Sequence, residues 1–191
     1  MTAKCTADPG VVKALGYLSN LQAAGARFFA GSTELARAVK DGTIDLAVGG
    51  PREFKAFMAT VPGFRAAPLP AGPVGPARPL VGVNGWSVSP RSRDLNLAVA
   101  FAAAMSDVGP EQVLVDEAGH VPANKANSIT DASTRVCADA AACGIVRPQV
   151  AQFDAFLDAF GAAQQTVLSG ERDPSAAAAR ACAAMNKANA R

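Results

Sequence analysis

Strand-forming segments are scarce in this chain, and that scarcity limits its possible folds more than any other feature. Three segments have strand character: Ile44-Asp45-Leu46-Ala47-Val48, Phe64 to Leu69, and Leu80 to Ser89, the last interrupted by Gly82 and Gly85. Helical segments number about seven. Asp8-Pro9 offers a cap followed by proline at the first helical position, ahead of Val12, Leu15, Leu18 and Leu21, and Gly25 stops the run. Ser32 caps a second helix that ends at Asp41-Gly42, and Pro51 opens a third with Phe54, Phe57 and Met58. Asp94 caps a helix carrying Leu95, Ala98, Val99, Ala102 and Met105 on one face, and Pro110 opens another that ends at Ala118-Gly119. Gln149 to Leu168 reads as a long amphipathic helix, and Asp173-Pro174 repeats the cap-plus-proline device before an alanine-rich one. From Ser128 to Pro148 the chain reads as loop, apart from a helical turn near the cysteines. Helices and short strands alternate, which is the α/β class. Three strands are nevertheless too few for a self-sufficient doubly wound sheet, so part of the sheet is expected to be missing.

Half of the 191 residues are apolar, enough to bury a core. Eighteen basic against 16 acidic side chains leave a net charge of +2 and no basic stripe, which argues against nucleic acid as a partner. No apolar run approaches the roughly 20 residues of a membrane helix. Met1-Thr2-Ala3-Lys4-Cys5 lacks the apolar stretch of a signal peptide, as expected of a mature chain or a fragment.

Catalytic and metal chemistry find little support. The single histidine, His120, sits in a loop entry with no GxSxG or cysteine elbow to serve. Gly72-x-x-Gly75 lacks the Lys-Ser/Thr of a phosphate loop. The four cysteines, Cys5, Cys137, Cys143 and Cys182, include no CxxC pair, so neither a metal nor another cofactor is expected. Cys137 and Cys143 flank five residues of a segment read as irregular, where a local disulfide would imply an oxidising, exported setting. Cys182, among alanines, reads as a small buried hydrophobe, and pairing with Cys5 is an alternative. The chain is expected not to be an enzyme.

Three stretches are more informative together. The first is Lys40-Asp41-Gly42-Thr43-Ile44-Asp45-Leu46-Ala47-Val48-Gly49-Gly50-Pro51-Arg52-Glu53-Phe54. The second runs from Phe64-Arg65-Ala66-Ala67-Pro68-Leu69-Pro70 through a Gly/Pro loop to Pro79-Leu80-Val81-Gly82-Val83-Asn84-Gly85-Trp86-Ser87-Val88, with the turn Ser89-Pro90-Arg91-Ser92-Arg93-Asp94 after it. The third is Glu117-Ala118-Gly119-His120-Val121-Pro122-Ala123-Asn124-Lys125. In order and spacing they resemble the C-terminal part of the extracytoplasmic solute-binding proteins of ABC importers, in the oligosaccharide group that includes maltose-binding protein. The resemblance runs from about Pro9 to the C-terminus.

That resemblance implies an incomplete periplasmic-binding-protein-like fold, in which two α/β lobes close on a ligand by a hinge. Residues 9–79 would begin the C-terminal lobe, 80–128 would belong to the other lobe, and 129–191 would return to the first. The absent N-terminal half of such a protein would account for the missing strands. The implied partners are a small-molecule ligand, the importer's membrane subunits, and the missing half or a homodimer mate. The implied location is periplasmic or extracellular, with lipid anchoring an option in a full-length protein.

Sugars present apolar C–H faces ringed by hydroxyls, so their sites combine flat aromatic platforms with directional polar groups. Trp86, the only tryptophan, is the leading platform, with Asn84 to hydrogen-bond a hydroxyl and Gly85 to admit close approach. Gly50 and Arg52 lie at the carboxyl end of a strand candidate, where α/β proteins bind ligands. Relatives of the maltose type carry an aromatic residue just after this Gly-Pro. Arg52 departs from that pattern, and its planar fork suits hydroxyls or an anionic group. Phe153, on the long helix, is the second platform candidate, against a core role suggested by its helical spacing. The competing reading is a truncated remnant that binds no solute and dimerises through an exposed sheet edge.

Overall fold

The computed structural model describes residues 9–73 and 75–190, so the Asp8 cap and Cys5 lie outside the described residues. Eight helices and two short strands follow in the order α1 (Pro9–Ala23), α2 (Ser32–Lys40), α3 (Pro51–Thr60), β1 (Leu80–Val81), α4 (Leu95–Ala104), α5 (Val108–Ala118), α6 (Ala132–Ala142), β2 (Ile145–Val146), α7 (Gln152–Leu168) and α8 (Pro174–Asn189). They form two units, one of Met1–Phe28 with Pro148–Arg191 and one of Phe29–Arg147. Within the first unit α7 and α8 pack on α1.

The first unit is a three-helix assembly of α1, α7 and α8. Asp173 caps α8 by accepting from the N–H groups of Ser175 (2.9 Å) and Ala176 (3.1 Å), with Pro174 at the first helical position. Ala177, Ala178 and Ala181 are buried beside Cys182 and Met185 on one face of α8, where short side chains let α7 approach closely. From α7 come Phe160, Ala163 and Val167, and from α1 Leu15. The rings of Phe153, Phe156 and Phe160 follow one another along α7 with centroids 5.2 and 4.6 Å apart. Cys182 is disulfide-bonded as well as buried.

In the second unit α2, α3 and α6 pack around Phe57, with Ala38 and Val39 also buried. Phe64 lies edge-on to Phe57 at 5.3 Å. Gly31 rather than Ser32 is the N-cap of α2, and Ser32 begins the helix. The segment expected to be loop contains the eleven residues of α6, started by Asp131. That helix removes the expected local disulfide: Cys137 lies within α6, Cys143 is its C-cap, and both thiols are free. Six helical residues separate two positions by about 9 Å along the axis, beyond the reach of a disulfide. Burial, and secondarily the charge of Asp131, raise the Cys137 thiol above its ordinary pKa.

The sheet is smaller than expected. Ile44–Val48 and Phe64–Leu69 join no ladder among the described residues, and of Leu80–Ser89 only Leu80 and Val81 pair. Leu80 lies against Ile145 and Val81 against Val146 in a parallel ladder. Ile145 N–H donates to the Pro79 carbonyl (2.8 Å) and Arg147 N–H to that of Val81 (2.9 Å). Gly144 permits this approach, since a Cβ there would stand 2.4 Å from Val81 Cγ2 and 2.8 Å from the Pro79 carbonyl oxygen. Parallel strands are normally covered on both faces, yet Leu80, Ile145 and Val146 are exposed, and Leu46 is 91% exposed. An extended segment becomes a strand only when a neighbour takes up its N–H and C=O groups. The described residues hold too few such neighbours.

Candidate ligand-binding site

Trp86 follows β1 in an unpaired segment of the second unit and is 52% exposed. Its ring meets Phe101 of α4 edge-to-face, with centroids 6.3 Å apart and planes at 77°. Phe101 is itself exposed, so the pair forms an aromatic edge at the surface. Position 101 is fixed by the turn the sequence marks at 89–94. Ser89 Oγ accepts from Arg91 N–H (3.2 Å), Ser92 Oγ donates to the Asp94 carbonyl (3.0 Å), and Asp94 caps α4 by accepting from Leu97 N–H (2.9 Å). Asn84 and Gly85 are exposed beside Trp86, and a Cβ at Gly85 would meet nothing within 4 Å. The backbone there is open to an approaching molecule.

Gly50 is the N-cap of α3, its N–H donating to Glu53 Oε2 (3.1 Å). Arg52, in the first turn, is exposed. Gly119, the left-handed C-cap of α5 at φ 69°, sits against this helix: a Cβ there would lie 3.3 Å from Lys55 Cδ and 3.4 Å from the Pro51 carbonyl oxygen. Lys55 Nζ also donates to the Asp116 carbonyl. The Gly50-Pro51 and Gly119-His120 motifs, far apart in sequence, therefore meet. Phe153 belongs to the other unit. It is buried in the first unit and stacked on Phe156, as helical spacing suggests for a core residue.

Sequence reading passed over the residues that shape the loop after α5. Glu111 accepts from two successive backbone N–H groups, Ala123 (2.7 Å) and Asn124 (3.0 Å). Gln112 uses its whole amide: Nε2 donates to Asp116 Oδ1 and the Ser128 carbonyl (both 3.0 Å), and Oε1 accepts from Asn127 Nδ2 (3.1 Å) and Ser128 N–H (3.0 Å). Asn127 Nδ2 donates further to the Val108 carbonyl (2.7 Å), leaving its Oδ1 buried without a partner among the described residues. Turning that amide over would break both donor bonds, which explains its orientation. Asp131 Oδ1 accepts from Ser133 Oγ (2.5 Å), Thr134 N–H (2.8 Å) and Thr134 Oγ1 (2.9 Å). These bonds, that of Ser133 foremost, hold its carboxyl below the usual range against the opposing effect of burial. Asp131-Ala-Ser-Thr was a readable cap signal.

A cavity of about 630 Å³ opens among Val108, Gln112, Val115, Asp116, Ala126, Ser128, Thr130 and Asp131. A smaller one, about 280 Å³, lies between Val39, Ile44–Ala47 and Val61–Phe64. Trp86, Gly85, Asn84, Arg52, Gly50 and Phe153 line neither. Gln112 and Asp131 already use their polar groups on the loop and on α6, so the larger cavity reads as a braced recess.

What the second unit offers is an α/β module with an aromatic edge and open backbone at its surface. The chain belongs to the bacterial extracellular solute-binding proteins, whose family model matches residues 1–135. Such proteins in general hold a small molecule for a membrane transporter and do not transform it. The match ends inside α6, so α7 and α8 lie beyond it, whereas the sequence resemblance was drawn to the C-terminus. No curated protein matches the chain. Among the described residues no helix is long and apolar enough to cross a membrane.

Proposed function

We propose that the chain is the C-terminal part of a carbohydrate-binding subunit of an ABC importer, working in the periplasm or outside the cell. The observation that carries this reading is the half-exposed Trp86 ring, braced edge-on by Phe101 and flanked by Asn84 and the open backbone at Gly85. An indole face covers the apolar face of a pyranose, and a neighbouring amide supplies directional bonds to its hydroxyls. Arg52 and Gly50, at the start of α3, are the second cluster offered to the ligand. Phe153 has no place in the proposed site, because its ring is enclosed. The lobe assignment belongs to this proposal, with the Trp86 segment as one wall of a cleft.

The single tryptophan makes the test direct. Titration with neutral mono- and oligosaccharides is expected to shift Trp86 emission saturably for at least one sugar. Trp86→Ala should then lose the heat of binding by calorimetry while keeping its circular dichroism. A panel that changes neither emission nor thermal stability would remove the carbohydrate reading.

A further inference from the structure

We infer that Cys182 is bonded to Cys5, and that this bond makes the closing of the first unit conditional on an oxidising compartment. The chain has four cysteines, Cys5, Cys137, Cys143 and Cys182. Cys182 is disulfide-bonded, whereas Cys137 and Cys143 are free thiols. Within one chain that leaves Cys5 as its partner. A bond to a second copy is disfavoured by packing. Cys182 is 1% exposed among Ala178, Ala181 and Met185, so a foreign chain would have to enter the core to reach it. Cys5 stands four residues ahead of Pro9, where α1 begins. Four residues of chain span up to about 14 Å, and Leu15 of α1 belongs to the same core as Cys182.

The bond falls where the first unit most needs one. Only the short turn Ser169–Asp173 separates α7 from α8, so these two helices meet as neighbours in sequence. The whole second unit lies between α1 and both of them along the chain. To the shared core α1 brings one buried residue, Leu15, with Val11 and Val12 partly buried. Docking α1 must therefore repay the closure of a very long loop with little buried surface. A cross-link between residues 5 and 182 closes that loop in the unfolded chain as well, which removes most of the penalty.

Joining the two thiols releases two protons and two electrons. An oxidised thiol–disulfide carrier accepts both by exchange through a mixed disulfide and departs as a dithiol. Such bonds form and persist on the exported side of the membrane, whereas thiol reductants keep cytosolic cysteines reduced. The family to which the chain belongs is extracellular, the side on which the bond persists. Helix α1 is thus held on α7 and α8 after export and only weakly before it. No residue of the sugar site takes part, so the inference stands apart from the carbohydrate reading.

The full chain, recovered without reductant from the periplasm of an expression host, is expected to show two titratable thiols in denaturant and four after reduction. Tryptic mapping should find residues 5–13 joined to residues 181–187, and dithiothreitol should separate the two peptides. Dithiothreitol should also lower the melting temperature by about 5 °C or more. Amide exchange should then rise more in α1 than in α7 or α8. Cys5→Ser leaves the buried Cys182 side chain in place; it should reproduce the drop and lose the response to dithiothreitol. The double variant Cys137→Ser with Cys143→Ser should keep that response. Four thiols before reduction, or Cys182 mapped to Cys137, Cys143 or a second chain, overturns the pairing. A melting temperature indifferent to dithiothreitol, once the peptides are shown to have separated, overturns the conditional closing.

Discussion

The two units obey the same packing rules and reach opposite results. The first joins three helices through one face each, and an alanine strip, a methionine and an aromatic run fill the space between them. The second contains more chain but buries little beyond Ala38, Val39, Phe57 and Val115, while Leu46, Val48, Val83 and Val146 face outward. A helix completes its own backbone hydrogen bonds, so a helical hairpin needs only a partner nearby in sequence. A strand must borrow a neighbour, and a parallel strand also needs cover on both faces. The difference teaches that helical packing can close within this chain, whereas its strand-like segments lack neighbours among the described residues.

The largest expected effect probes the closed unit. Met185 is 1% exposed, and Met185→Ala should cost about 2–5 kcal/mol through lost burial and a cavity. Urea denaturation followed by far-UV circular dichroism measures it, and a loss under about 0.5 kcal/mol would break the contrast between the units. Next is Gly144→Ala, whose methyl would press into Val81 and the Pro79 carbonyl. A cost of about 1–3 kcal/mol is expected, with faster amide exchange at Ile145 and Arg147 as its local signature.

Smaller still is Asp131→Ala, which strips the α6 cap and should cost about 1 kcal/mol near neutral pH. The hydrogen bonds from Ser133 and Thr134 hold the Asp131 carboxyl below the usual carboxylate range. Its contribution is therefore fully present above the unfolded pKa and fades as pH falls through the lower folded value. The stability gap between the parent and Asp131→Ala should narrow in that acidic window and stay flat at higher pH. Smallest is Leu46→Ser, which should change stability by no more than about 0.5 kcal/mol, because the side chain is already in solvent. A larger loss would mean that the second unit is less open than described.

Helix starts were legible because they rest on local chemistry. Asp94, Pro51 and Asp173-Pro174 open helices where the sequence places them. The α6 helix was missed because alanine and cysteine between two loops give no apolar period, although Asp131 marked its start. Ile44–Val48 and Phe64–Leu69 have strand composition, but composition cannot supply a pairing neighbour. At the candidate site, Trp86 and the Gly50-Pro51 turn could be picked out as residue types with a use. Phe101 behind the indole, and Glu111 and Gln112 bracing the loop, depend on contacts that spacing alone does not reveal. Phe153 shows the converse: an aromatic at helical spacing turned inward.

Gly144 has a further consequence, in the order of folding events. The ladder it permits joins Leu80 to Ile145, tying off a stretch that contains α4, α5 and α6 whole. Closing a loop of that length costs roughly 4 kcal/mol of chain entropy, set against a ladder of two residues. The α7–α8 hairpin closes over a few residues and needs no such encounter. The second unit should thus be the slower to form and the first to open, with the β1–β2 junction as its clasp.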